Sequence, residues 1–240
     1  RVLAACFSPD GGLLAAGGPG GLALLDGRTG ELRSEVPIGV AKSLDFSPDG
    51  ARVAVGCKAG VVCVVDAASA EVRWRVALPG SVKAVQFSPD GGRLGCCTAR
   101  GGVACLSAED GAALWELEGD NKVRALCFSP NGAVVALGND NGQVQLVDGE
   151  TGDAGEAFAC GFFIFSAHFA PDGESLLVAE GDYYDKRVLL LDVESGGSRT
   201  VAGGGAEEGR REGLACASPS PDGARVALGG RDDRAGVALV

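Results

Sequence analysis

The chain is poor in several residue types that define other classes of protein. Its 240 residues include no Met, one His, two Trp and two Tyr, and 21 lysines and arginines stand against 32 aspartates and glutamates. Proteins that bind nucleic acid need clustered cations to neutralise its phosphates. Because the net charge of this chain is −11, nucleic acid is not expected as a partner. No apolar run reaches eighteen residues, and the start reads as strand and turn. We therefore expect neither membrane insertion nor a signal peptide.

Met is missing at position 1 as well, which favours an excised domain, a processed product or an incomplete gene model.

The nine cysteines are an odd number, and most lie in apolar runs, as Cys63 and Cys127 do. No Cys or His spacing suggests a metal site. We expect reduced core thiols in a cytoplasmic, reducing compartment, with one of the adjacent Cys96 and Cys97 exposed.

Glycine and short apolar runs are abundant, with 40 Gly, 10 Pro and a 46% apolar fraction, which is typical of an all-β chain. One block, Phe-x-Pro-[Asp/Asn]-Gly, recurs every 39 to 41 residues. Its Pro and Gly predict a tight turn between two strands. The block begins at Phe7, Phe46, Phe87, Phe128 and Phe169, and a sixth copy, Ser220 to Gly223, has Pro219 in the Phe position.

Each repeat predicts four strands. An alternating run ends in the Phe, two apolar runs follow, and a turn of the form Asp-x-x-Thr-Gly leads to a more polar fourth run. Nearly continuous apolar runs fit inner strands covered on both faces. The polar run fits an outer strand, whose edge must resist pairing with other chains.

A unit of about 41 residues with these turns resembles the WD-repeat family of β-propellers. The resemblance rests on the Phe-x-Pro-[Asp/Asn]-Gly blocks and on the Asp that closes the third run at Asp26, Asp66, Asp148 and Asp192. The Trp of the family's Trp-Asp pair is Leu or Val here, and its Gly-His dipeptide is absent. The resemblance implies one all-β domain over 1–240, a β-propeller of about six four-stranded antiparallel blades. The blades fall at about 1–38, 39–78, 79–118, 119–160, 161–202 and 214–240, and the last is incomplete. A ring closed by a three-stranded blade and a fragment of a larger propeller remain alternatives.

A second pattern ends at Trp74 and Trp115 and is similar to the tryptophan-docking turn of quinoprotein-type propellers. We interpret it as architecture, with each Trp packed between adjacent blades. No cofactor is expected, because a quinone needs cationic and amide ligands that the sequence does not assemble. The single His168 has no aligned nucleophile and is interpreted as structural.

Cations recur four residues before the Phe of the block, where the first strand of a blade begins. With cations of neighbouring loops, they predict a basic arc suited to an acidic peptide or a phosphate group. The alternative is ordinary solvated charge. The candidate residues are Lys42, Lys83, Arg124, Lys122, Lys58 and Arg100.

The fifth repeat adds a second candidate surface. Phe162 and Phe163 lie in an apolar loop, and Tyr183 and Tyr184 lie in the long loop from Glu180 to Lys186. Exposed aromatics beside charges are typical of binding hot spots. Alternatively, a Phe plugs the core under the Tyr pair. The carboxylates Glu180, Asp182 and Asp185 match no calcium pattern.

These patterns favour a non-catalytic scaffold or adaptor of the WD-repeat type, which binds a protein or peptide, acidic or phosphorylated, on a loop face. The alternative is a propeller enzyme or cofactor-binding protein of the quinoprotein or lactonase type. A third hypothesis is a regulatory or targeting propeller attached to a domain outside these residues. The choice rests on family analogy and on the lack of catalytic clusters.

Overall fold

The computed structural model describes residues 1–118, 122–181, 186–203, 214–220, 225–230 and 237–239. These residues form 23 β-strands in six sheets, each sheet a meander of consecutive antiparallel strands. Sheet 1 holds β1 (Ala4–Phe7), β2 (Leu13–Gly18), β3 (Gly21–Asp26) and β4 (Leu32–Val36). Sheet 2 holds β5 (Ala41–Phe46), β6 (Arg52–Cys57), β7 (Val61–Asp66) and β8 (Val72–Ala77). Sheet 3 holds β9 (Val82–Phe87), β10 (Arg93–Thr98), β11 (Val103–Ser107) and β12 (Ala113–Leu117).

The second half of the chain repeats the pattern. Sheet 4 holds β13 (Val123–Phe128), β14 (Val134–Asn139), β15 (Gln143–Asp148) and β16 (Ala154–Ala159). Sheet 5 holds β17 (Ile164–Phe169), β18 (Ser175–Gly181), β19 (Lys186–Asp192) and β20 (Ser198–Gly203). Sheet 6 holds β21 (Leu214–Pro219), β22 (Arg225–Gly230) and β23 (Val237–Leu239), so the described part of the last sheet has three strands.

The chain divides into two compact units. The first comprises residues 1–123 and 150–152, and the second comprises 124–149 and 153–240. Within the described residues, no helix is long and apolar enough to cross a membrane.

The predicted tight turn joins the first and second strands of sheets 1 to 5, and its serine has a role that the sequence did not suggest. In sheet 3 the Ser88 hydroxyl accepts a hydrogen bond from the Arg93 amide (2.9 Å) and donates one to Asp90. Asp90 accepts in turn from the Gly92 amide at 3.0 Å. The same set of bonds forms at Ser8, Ser47 and Ser129. Each turn is therefore held by its own side chains as well as by Pro and Gly.

Inner strands are buried on both faces, as their apolar runs predicted. Val53 to Val55 and Val62 to Val65 lose all solvent contact. The expectation that Cys96 or Cys97 is exposed is wrong, because both are fully buried in the inner strand β10. Burial raises the pKa of Cys96 well above its ordinary value and that of Cys97 to about 12, so both thiols stay protonated.

Sheet 1 differs from the others on one face. Phe7 is 59% exposed, whereas its equivalents Phe46 and Phe87 are 6% and 4% exposed. Its cross-strand neighbours are Leu14, Leu25 and Leu32, and Leu32 is exposed as well. An apolar row therefore crosses sheet 1 where the equivalent row of sheet 2 is buried.

Candidate binding edge

Every sheet has two ends, which we call the upper and lower edges. The upper edge carries the loop that leads into the first strand and the loop between the second and third strands. The lower edge carries the two tight turns. In sheet 2 the Lys58 amide donates to the Val40 carbonyl (2.8 Å), and in sheet 3 the Ala99 amide donates to the Ser81 carbonyl (2.8 Å). These bonds tie the two upper loops of each sheet together.

Lys42 and Lys83 lie at the upper edge on first strands, both half-buried, and each occupies a break in the strand register. Pairing of β5 with β6 shifts between Ala41 and Ser43, and pairing of β9 with β10 shifts across Lys83. Such bulges insert one extra residue into a strand and re-aim its side chain. The repeat therefore presents a bulged lysine at the same point of two consecutive sheets.

The two bulged lysines are held at a fixed separation, because the strands that carry them are bonded to one another. The Ser43 hydroxyl accepts from the Val85 amide (3.0 Å), and the Asp45 Oδ2 accepts from the Phe87 amide (2.7 Å). Side-chain bonds from β5 to the backbone of β9 limit sliding between sheets 2 and 3.

Three further predicted cations lie on the upper edge of the first unit. Lys58 and Arg100 are exposed in the loops between second and third strands, and Lys122 is exposed just before β13. The stem of Arg100 rests against Gly80, where a β-carbon would lie 3.0 Å from its Cγ. This contact holds the guanidinium out toward solvent.

The lower edge of the same unit is rich in aspartates, of which Asp26 and Asp66 form ion pairs with Arg33 and Arg73. Aspartates sit in its tight turns and accept backbone hydrogen bonds, which stabilise their charged form. The Ser69 amide and the Arg73 guanidinium lower the pKa of Asp66 to about 2. Hydrogen bonds from the Ser8 hydroxyl and the Gly12 amide likewise lower the pKa of Asp10. The described carboxylates with lowered pKa in this unit are Asp10, Asp26, Asp49, Asp66, Asp90 and Asp110.

Arg124, the third member of the predicted series, is placed differently. It belongs to the second unit and forms an ion pair with Asp140, through Nε with Oδ1 and through Nη2 with Oδ2 at 3.0 Å. Hydrogen bonding to Asp140 raises the pKa of Arg124. Much of its charge is therefore compensated within its own sheet, which the sequence did not reveal.

The aromatic surface of sheet 5 is built on a buried ion pair that sequence reasoning missed. Glu180 is 1% exposed; its Oε1 accepts from the Arg187 Nε (2.7 Å) and its Oε2 from the Phe162 amide (3.3 Å). Arg187 also donates to the Cys160 carbonyl (3.3 Å) and lies over the Phe162 ring, 5.5 Å from its centroid. Both Glu180 oxygens are thus engaged by N–H donors, which opposes a calcium role.

Of the other predicted residues in this region, Phe162 is half-buried under Arg187 and Phe163 is 46% exposed. Tyr183 and Tyr184 lie outside the described residues, as do Asp182 and Asp185. A signal for the ion pair did exist in the repeat, because Glu180 takes the buried polar position that Thr98 and Asn139 occupy in sheets 3 and 4.

The residue before the Phe of the block bonds to the next sheet in three of the repeats, at Cys6, Asp45 and Cys127. Asp45 reaches the Phe87 amide in this way. Burial raises the pKa of Asp45 to about 7, while its bonds to the Phe87 and Phe46 amides act in the opposite direction. His168 occupies the same position, and burial lowers its pKa, so the imidazole is neutral at pH 7.

Both tryptophans dock on a glycine of the following turn. The Trp74 Nε1 donates to the Ala108 carbonyl at 3.2 Å, and its ring covers Gly111. The Trp115 ring covers Gly152 in the same manner, and in the second unit the Phe158 ring covers Gly196. All three glycines have positive φ. A β-carbon would lie 2.7 Å from the Trp74 ring at Gly111 and 2.9 Å from the Trp115 ring at Gly152, which leaves no room for it. The repeated contact agrees with the architectural interpretation of the Trp pattern.

Consecutive antiparallel meanders, with first strands bonded to the next sheet between sheets 2 and 3 and between sheets 5 and 6, define a β-propeller, and comparisons with solved structures agree. A propeller domain of Cps50 (Swd1) from Myceliophteria thermophila matches with a TM-score of 0.81 and 17% identity, over 100% of this chain and 85% of that chain. Hydrazine synthase from Kuenenia stuttgartiensis matches with a TM-score of 0.82 and 17% identity, over 96% and 74%. At these identities the likeness concerns the fold alone.

A family model described as outer membrane protein assembly factor BamB matches residues 18–156. Because this is more than half of the 240 residues, the chain belongs to that family. No curated protein sequence matches the chain. The propeller of repeated blades that the WD-repeat resemblance implied is thus confirmed. The family that the comparison shows is the BamB family and not the WD-repeat family.

Proposed function

We propose that the chain is a non-catalytic scaffold whose first unit binds an acidic or phosphorylated protein segment along its upper edge. The observation that carries the proposal is the separation of charge. Lys42, Lys58, Lys83, Arg100 and Lys122 lie at the upper edge, whereas ionised aspartates hold the turns of the lower edge.

The negative net charge of the chain makes this separation of charges important for binding an acidic partner. A chain of net charge −11 repels an acidic partner over most of its surface. Attraction is then confined to the edge where cations cluster, and this steers the encounter and fixes orientation more than it adds affinity. Lys42 and Lys83 supply the most ordered charges, because their bulges sit on strands that are hydrogen-bonded to each other.

The absence of catalysis and a cytoplasmic location belong to the same proposal. Two buried titratable groups of first strands have structural roles: Asp45 holds the Phe87 amide, and His168 is kept neutral by burial. A reducing compartment is supported by eight described cysteines that are all free thiols.

The test is capture of partners from a native lysate by three forms of the protein, read by mass spectrometry. The forms are the wild type, Lys42→Glu/Lys83→Glu, and Arg28→Glu/Arg199→Glu, whose net charge changes equally but away from the upper edge. We expect at least one partner with an acidic or phosphorylated segment to be lost only from the Lys42→Glu/Lys83→Glu sample. Equal recovery by all three forms contradicts the proposal.

A second candidate function, a cofactor protein of the quinoprotein type, is favoured by the rings docked on Gly111 and Gly152 and by the BamB family match. Against this candidate, cations predicted for the basic arc are exposed or paired. Lys58 and Arg100 extend from exposed loops, and Arg124 is paired with Asp140. A bound chromophore in the absorption spectrum of protein purified from its native source would favour this candidate over the scaffold.

A further inference from the structure

The groove between sheets 2 and 3 at the lower edge is filled by two long side chains. Trp74 lies in it and donates to the Ala108 carbonyl at 3.2 Å. Arg52 lies beside it and donates to the same carbonyl at 3.2 Å and to the Gly91 carbonyl at 2.9 Å. Both side chains thus bond to backbone carbonyls of sheet 3.

The equivalent groove between sheets 1 and 2 lacks both fillers. Register places Ser34 where sheet 2 has Trp74, since Ser34 pairs with Leu24 and Trp74 with Val64. Leu13 stands where sheet 2 has Arg52. A cavity of about 330 Å³ results, within the size range of small-molecule sites. It is lined chiefly by Leu13, Leu24, Arg33, Ser34, Ala67 and Ala68.

We propose that this groove binds the indole side chain of a tryptophan presented by a partner peptide. Leu13, Leu24 and Ala67 give it apolar surface beside the polar Ser34 and Arg33, and the ring that fills the sister groove is an indole, a ring with one N–H donor. The Ala67 carbonyl corresponds to the Ala108 carbonyl, because the Ala67 and Ala108 amides donate to equivalent turns, at Ala51 (2.9 Å) and Gly92 (3.0 Å). An indole N–H that would be costly to bury unpaired thus has an acceptor in the same place. This site lies at the lower edge and does not rest on the proposed upper-edge function.

The turn beneath the groove differs from the turn of the sister site at the residue on which the indole ring would rest. In the sister site the ring rests on Gly111, where a β-carbon would lie 2.7 Å from the Trp74 Cε3. The corresponding residue here is Ala70, which adopts φ 60° although it is not glycine. Its methyl group occupies part of the ring's place, so a bound indole sits higher than Trp74 does. Removing the methyl group should tighten binding.

The probe is acetyl-Gly-(5-fluorotryptophan)-Gly-amide, followed by fluorine NMR during titration with the full chain. We expect saturable line broadening for the wild type. Free 5-fluoroindole is the second arm, and it should bind no more tightly than the peptide. If free indole binds and the peptide does not, a peptide partner is excluded and the proposal fails.

Three variants locate the site. Ser34→Trp should abolish probe binding by supplying the chain's own indole, and Ala70→Gly should lower the dissociation constant at least threefold. Leu114→Trp adds an indole on the exposed strand β12 and should leave binding unchanged. Thermal melts of each variant establish that it folds, and Ala70→Gly tests the site even if Ser34→Trp does not fold. No saturable binding to the wild type, binding retained by folded Ser34→Trp, or unchanged or weaker binding by Ala70→Gly overturns the proposal.

Discussion

At the scale of single residues, the serine of the repeated turn is a structural element in its own right. Ser88 closes its turn by accepting from the Arg93 amide, whereas the fifth repeat has Ala170 there, and Asp172 accepts from the Ser175 amide at 3.2 Å instead. We predict that Ser88→Ala lowers the free energy of unfolding by about 1 kcal/mol and that Ala170→Ser raises it by up to about 1 kcal/mol. Urea denaturation measures both. If Ala170→Ser destabilises the protein, the hydroxyl does not have this role.

Asp45 predicts a dependence of stability on pH. Its carboxyl has a pKa of about 7 in the folded chain, above the ordinary value of 3.8, so the folded state holds the proton more tightly than the unfolded state. Its contribution to stability is therefore complete below pH 4 and lost as pH rises through 7. Asp45→Asn keeps an acceptor for the Phe87 amide and carries no charge.

Relative to the wild type, Asp45→Asn should gain about 3 kcal/mol of unfolding free energy between pH 4.5 and pH 8. Urea denaturation of both proteins at the two pH values isolates this residue from the turn aspartates, which both proteins share. A difference between the two proteins that does not change with pH contradicts the raised pKa of Asp45.

At the scale of elements, a ring on each of the outer strands β8, β12 and β16 docks on a turn glycine further along the chain. Gly111 and Gly30 occupy equivalent turns with φ 77° and 72°, but Gly111 lies under Trp74, whereas a β-carbon at Gly30 meets nothing within 4 Å. Both alanine variants bear the strain of positive φ, about 1 kcal/mol. Gly111→Ala should cost at least about 2 kcal/mol more, because the ring must shift.

Thermal or urea unfolding of Gly111→Ala and Gly30→Ala measures that difference directly. Equal losses of stability in the two variants mean that docking of Trp74 contributes little to the joint between sheets.

The strands were predictable from the sequence because their signals are local. Pro, Gly and the alternation of apolar residues act within a few positions, so the turn after Phe46 and the apolar run of β7 read directly as structure. Exposure of Cys96 or Cys97 was wrongly predicted because alternation alone does not tell that a strand is covered on both faces. The Glu180 to Arg187 pair was missed because it joins residues that only the pairing of β18 with β19 brings together.

At the scale of the whole molecule, the repeat predicted the propeller, whereas the candidate site was predictable only in part. Lys42, Lys83 and Arg124 do occupy the same position of the repeat. Whether the cation at this position forms an ion pair, however, depends on the residues in the loop of its own sheet. Asp140 engages Arg124, and a sequence position carries no such information. The charge separation between the two edges of the first unit likewise became visible only once the turns and loops had been assigned to opposite ends of the sheets.

The most direct test of the account is the affinity of the full chain for a fluorescein-labelled peptide of ten glutamates, measured by anisotropy at several salt concentrations. We predict that Lys42→Glu/Lys83→Glu weakens binding at least tenfold at low salt, that Arg28→Glu/Arg199→Glu weakens it far less, and that added salt diminishes the difference. Equal affinities for the two double variants would contradict a binding site on the upper edge.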